Sequence, residues 1–162
     1  MKPKVYIETT IPSYLAGRPS RDLVVAGNQE LTREWWDERR AAFDLYISQF
    51  VLDEAAIGDL KAVRRRMDVL NGLSELEITE AAEQLAEKLI RGGVIPVKAA
   101  ADAAHIAVAA VSGMDYLLTW NCKHIANAEI MKKIYRLCEA EGFNCPVICT
   151  PAELMGGNGD ET

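Results

Sequence analysis

The residues of this chain best placed to do chemistry are polar groups that follow short apolar runs. Glu8 closes the run Val5-Tyr6-Ile7 and is followed by Thr9 and Thr10. Asp53 and Glu54 come shortly after Leu45-Tyr46-Ile47-Ser48, and Asn121 follows Tyr116-Leu117-Leu118-Thr119-Trp120. Asp102 interrupts a run of alanines, with Ala99, Ala100, Ala101, Ala103 and Ala104 around it. In open parallel sheets ligands gather beyond the carboxyl ends of the strands, so these groups, scattered along most of the chain, could converge on one end of a sheet. Crowded carboxylates repel and raise one another's pKa, and a hard divalent cation such as Mg²⁺ or Mn²⁺ removes the conflict by taking oxygen ligands. An oxygen-only site with open positions suits phosphate chemistry.

Each residue also has a plain structural reading. A lone Asp or Glu near a strand end is ordinarily a solvated surface charge or a helix cap. Glu8 resists that reading because it follows a strand expected to be central, and Asp102 because its neighbours are small and apolar. Asp53 reads as a surface neighbour of Glu54, and Asp115 as a turn residue after Gly113. His105 lies three residues after Asp102 and so on the same helical face. Its plain reading is a core histidine, its functional one a hydrogen-bonding or substrate-contact group that supports the site. His124 sits on the loop beyond the fourth expected strand. Trp35 and Trp36 are expected to divide between core and partial exposure. Arg64-Arg65-Arg66 and Arg39-Arg40 read as solvated helix faces that, with Lys98 and Lys123, are the available phosphate contacts.

The elements that must carry these groups alternate between short apolar runs and longer periodic ones, the mark of an α/β sandwich around a parallel sheet. Strands are expected at residues 4–7, 45–48, 76–78, 116–119 and 147–149. Between them, helices are expected from Asp22 to Phe43, with Leu31, Trp35 and Ala42 on one face, and from Val51 to Ile57. Another runs from an Asp59 cap to Asn71-Gly72, and a fourth from Thr79 to Gly92-Gly93. The alanine-rich stretch from Val97 to Ser112 and the segment from Asn127 to Glu141 complete the set. Residues 1–155 are expected to form one domain, and 156–162 a disordered, acidic, glycine-rich tail.

Composition narrows the function classes. The 162 residues are 49% hydrophobic and 26% charged, enough for one core, and the net charge is −6. That charge speaks against broad coating of nucleic acid or anionic membrane, though not against an acidic site acting on a polyanion. The most apolar stretch, from Ala103 to Val111, falls well short of the ~20 residues a span requires, so no membrane association is expected. Glu8 interrupts the apolar start at once, unlike a secretion signal. The four cysteines, Cys122, Cys138, Cys145 and Cys149, show no CxxC spacing. They read as reduced thiols of a cytoplasmic protein.

Four segments, Val5-Tyr6-Ile7-Glu8-Thr9-Thr10, Val51-Leu52-Asp53-Glu54, Asp102-Ala103-Ala104-His105-Ile106-Ala107 and Leu117-Leu118-Thr119-Trp120-Asn121, resemble in order and spacing the motifs of PIN-domain nucleases. The resemblance is nearest to VapC-type toxins of bacterial toxin–antitoxin pairs and runs from Lys4 to about Leu154. It implies a three-layer α/β/α sandwich around a parallel sheet of about five strands. It also implies a Mg²⁺- or Mn²⁺-dependent endoribonuclease that hydrolyses phosphodiesters with a metal-activated water. By the same resemblance Glu8, Glu54, Asp102 and Asn121 are the catalytic and metal-binding positions, with Thr9 and Thr119 as supporting hydroxyls. The implied partners are RNA, a cognate antitoxin protein and a second copy in a homodimer. Glutamate at position 8 and asparagine at position 121 replace the aspartates usual there. A catalytically weak or inactive module that binds protein or RNA is therefore the alternative.

Overall fold

The structure, a computed structural model, describes residues 1–157; the rest of the expected tail, 158–162, lies outside the described residues. In chain order the strands are β1 (Lys4–Ile7), β2 (Asp44–Ser48), β3 (Ser74–Leu76), β4 (Tyr116–Leu118) and β5 (Val147–Cys149). The helices are α1 (Thr10–Ala16), α2 (Leu23–Glu38), α3 (Gln49–Ala55), α4 (Leu60–Leu70), α5 (Glu80–Arg91), α6 (Ala100–Val111) and α7 (Ala128–Ala140). All strand pairs are parallel, in the order β3-β2-β1-β4-β5. The chain therefore winds outward from β1 to β3, then crosses back to β4 on the other side of β1. Parallel crossovers keep one hand, so the reversal puts the helices before and after it on opposite faces. Accordingly α1 packs on α2 and α4, and α5 on α6 and α7, giving the three layers expected.

Central position explains the composition of β1. Val5, Tyr6 and Ile7 are all fully buried, as a strand covered on both faces must be. The alanines of α6 serve the same geometry: Ala103, Ala107 and Ala109 have no exposure, so the helix backbone lies close against its neighbours. Asp59 caps α4 by accepting from the backbone N–H groups of Lys61 and Ala62, and Thr79 caps α5 through Ala82, as expected. Gly72 after α4 and Gly142 after α7 take φ of +84° and +86°, left-handed values that glycine adopts without a Cβ clash.

Four expectations need correction. Helix α1 was not expected at all; Pro12 falls in its first turn, where a missing N–H leaves no hydrogen bond unmade. Helix α2 ends at Glu38 rather than Phe43, and Arg40–Ala42 form a 3-10 turn. The break lets Phe43 extend and stack on the buried Trp35, leaving Ala42 exposed. Strand β3 lies two residues early, because Leu76 pairs with Ser48 while Ile78 lines an apolar pocket between α5 and α6. Helix α3 starts at Gln49, directly on the end of β2. Trp36 is half-buried under the Arg40 guanidinium, so the two tryptophans divide as expected. All four cysteines are free. Among the described residues no helix is long and apolar enough to cross a membrane.

Candidate metal centre

The chain reverses its winding at the carboxyl ends of β1 and β4, the kind of crevice in which open α/β sheets bind ligands. Strand register alone sets the first half of the site. Ile7 lies opposite Leu118, and the Glu8 N–H continues the ladder to the Leu118 carbonyl, so Glu8 emerges beside Thr119. Glu8 is 4% exposed, and its Oε1 accepts from the Thr119 hydroxyl at 2.6 Å, the Thr10 hydroxyl at 2.5 Å and the Thr10 N–H at 3.2 Å. Thr10 Oγ1 in turn accepts from the Trp120 N–H, and Thr119 Oγ1 from the Asn121 N–H, tying both loops to the carboxylate.

The second half is built by α3 and α6. Helix α3 hangs from the end of β2 and touches both α4 and α6, which brings Glu54 back towards β1. Glu54 Oε1 accepts from the Thr9 hydroxyl at 2.5 Å and meets His105 Nε2 at 2.6 Å. Burial alone would raise the Glu54 pKa. The His105 hydrogen bond and charge, with the Thr9 hydroxyl, outweigh it and hold the group below its ordinary value. On the far side of the ring, His105 Nδ1 lies 2.7 Å from the Tyr6 hydroxyl, which lies 2.8 Å from Ser48 Oγ. Burial pushes the Tyr6 phenol far above its usual range, against the Ser48 hydrogen bond and with help from Glu8 and Glu54, so it stays protonated.

Glu8, Glu54 and His105 each offer a ligand atom within 4.8 Å of the others. Among the described residues the hydrogen bonds to both glutamates fall on Oε1, which leaves each Oε2 for a cation. Two carboxylates with oxygens to spare, walled by hydroxyl donors, fit a hard divalent ion.

Of the seven residues singled out by sequence, Glu8, Thr9, Glu54, His105 and Thr119 come together. Asp102 is half-buried at the start of α6, one turn before His105, and its carboxylate is not among the converging ligand atoms. Asn121 has another occupation: its Oδ1 accepts from the N–H groups of Lys123 at 3.3 Å and His124 at 3.1 Å, holding the loop after β4. Sequence reasoning missed Tyr6, Ser48 and Thr10. Tyr6 carries a usable signal, since it lies two residues before Glu8 and so on the same face of the strand. Arg65 and Arg66, grouped with possible phosphate contacts, donate to backbone carbonyls of Ala16, Ala55 and Ile57. Arg66 thereby satisfies the C-terminal end of the helix that bears Glu54. Arg64, Lys98 and Lys123 remain exposed.

No protein-family model and no curated protein matches this sequence. Solved structures do match. VapBC2 of Rickettsia felis, crystallised with a DNA fragment from its promoter, superposes with a TM-score of 0.53 at 17% identity, over 91% of this chain and 98% of that one. VapC20 of Mycobacterium tuberculosis, a sarcin-ricin loop cleaving toxin, gives a TM-score of 0.55 at 17% identity, over 86% of this chain and 95% of that one. The chain thus has the fold of the VapC-type PIN toxins that its motifs resemble.

Proposed function

We propose that this protein is a Mg²⁺- or Mn²⁺-dependent endoribonuclease, the toxin of a toxin–antitoxin pair, with Glu8 and Glu54 as the metal ligands already brought together and Asp102, one turn before His105 on α6, as a third carboxylate that reaches the ion only once it is bound. The observation that carries the reading is the pairing of Glu8 and Glu54 at the sheet's reversal point, each with one oxygen pinned by hydroxyl or imidazole donors. When bound, a divalent cation there would supply Lewis-acid activation of water and charge neutralisation at the scissile phosphate. The chain's own groups do the rest. Thr10 and Thr119 fix the nearly buried Glu8 carboxylate by donating to its Oε1. His105 and Thr9 do the same for Glu54. Asp102, at the mouth of α6, is the third carboxylate. Asn121 keeps the loop after β4 in place, and that loop presents Lys123 to the RNA backbone.

A cognate antitoxin and a homodimer belong to this reading through the resemblance of its motifs to VapC-type toxins, and a cytoplasmic setting through its free cysteines. The engagement of Asn121 Oδ1 favours one resident ion over two, with any second ion arriving on substrate oxygens. The test is cleavage of structured RNAs by the purified protein with Mg²⁺ or Mn²⁺, with and without chelator, alongside Asp102→Asn. The expected result is cleavage that requires the ion and disappears in the variant. Metal-independent cleavage would overturn the metal-centre reading, and no cleavage by the parent with either ion would overturn the nuclease reading in favour of a binding module.

A further inference from the structure

His105 has no solvent exposure, yet both of its ring nitrogens are engaged, with Glu54 on one side and Tyr6 on the other. A continuous line of side chains therefore runs from Ser48 at the end of β2, through Tyr6 of β1 and His105 of α6, out to Glu54 of α3. Phe50 meets the ring edge-on at 6.3 Å and Tyr6 lies tilted at 5.8 Å, so the imidazole cannot turn without opening a close-packed core. An ionised carboxylate only accepts, so Nε2 bears a hydrogen and donates to Glu54. Glu54 needs such a tether. It is the penultimate residue of a seven-residue helix, and its side chain is 34% exposed, with rotamer freedom to lose.

We propose that His105 is a positioning residue: its Nε2–H holds Glu54 Oε1 so that the carboxylate stays turned towards Glu8, while Tyr6 and Ser48 fix the ring. This rests on the reading of the cluster as a divalent-metal centre, and it places His105 behind a ligand rather than on the ion. Partners that orient metal ligands in this way commonly change affinity 10–100-fold when removed, on the order of what the loss of His105 should show. The chemistry that His105 supplies is one donor towards Glu54 and one polar partner for Tyr6, and a glutamine amide offers both.

Crystal structures of the metal-free His105→Gln and His105→Leu proteins, with calorimetric titration of each by Mn²⁺, test the proposal. In His105→Gln, Glu54 should stay against Thr9, and Mn²⁺ affinity should remain within about threefold of the parent. In His105→Leu the carboxylate should swing away and affinity fall by about 10–100-fold. Tyr6→Phe frees the ring while keeping it in place; it serves where the leucine variant does not fold, and a loss of about three- to tenfold is expected. A leucine variant with Glu54 unmoved and full affinity overturns the proposal, as does a glutamine variant no better than leucine or a Tyr6→Phe protein equal to the parent. Nitrogen hyperfine coupling to Mn²⁺ in the parent's pulsed EPR spectrum also overturns it, by making His105 a ligand. A parent that binds no Mn²⁺ removes the metal centre alone, because the position of Glu54 in the two metal-free structures still decides what His105 does.

Discussion

Glu8 and Glu54 face each other across the same few ångströms, but they are held by different kinds of structure. Glu8 extends a central strand, and its partners are the residue two places on and the residue that the β1–β4 register sets beside it. Glu54 stands near the end of a short helix, and its partners, Thr9 and His105, lie 45 and 51 residues away in the chain. One carboxylate is placed by the sheet and the other by packing of three separate layers. A site built this way has a rigid half and a half that depends on its supports.

The largest effect should come from Glu8→Gln. The amide oxygen still accepts from Thr10 and Thr119, so the fold survives, but the charge is gone and Mn²⁺ affinity should drop by more than about a hundredfold, beyond what a supporting residue costs. Calorimetry with circular dichroism as the folding control checks this; near-parent binding would take Glu8 out of the centre. Thr119→Val sharpens the contrast on the rigid side. It removes a fully buried hydroxyl that donates to a carboxylate, an interaction worth about 1.5–3 kcal/mol. Denaturant unfolding of the metal-free protein should show a loss in that range. The matching Thr9→Val, on the part-exposed Glu54, should lose less.

A smaller effect concerns acid. The folded Glu54 pKa is depressed below 4.5, so the stability its ionised form contributes is present above that value and lost as pH falls through the lower folded one. Thermal midpoints of the parent should therefore fall more steeply below 4.5 than those of Glu54→Gln. Parallel curves would mean that His105 and Thr9 do not favour the ionised form. Smallest of all, Asn121→Asp keeps the oxygen that accepts from Lys123 and His124, so Mn²⁺ affinity should change by no more than about twofold, as for a charge one step removed from the ion. A tenfold gain would instead place residue 121 in the metal shell.

Much of the rigid half was legible in the chain. Glu8 was singled out because an acidic residue at the end of a continuous apolar run is hard to leave in water, and Thr119 because it ends another such run. Caps at Asp59 and Thr79 were legible for a similar reason, since a capping side chain acts on N–H groups two or three residues away. In the other half Glu54, Thr9 and His105 were named through the motif resemblance and spacing, but not the hydrogen bonds that join them. Helix α1 was hidden by Pro12, and the occupation of Asn121 Oδ1 by the loop after β4 competes with the ligand role its position invites.

By itself, then, the sequence determined which residues end most of the strands, where most helices begin, and that acidic groups could gather at one end of the sheet. Those are consequences of apolar periodicity and of interactions spanning a few residues. Only the tertiary structure decided that His105, read from the chain as either a core histidine or a supporting group, joins Tyr6 and Ser48 to Glu54, and that Asp102 stands a turn away from the converging atoms. Such contacts bring together residues of β1, β2, α3 and α6 that are far apart along the chain. Hydrogen-bond geometry changes within tenths of an ångström, a scale set by how whole layers pack and not by any local pattern.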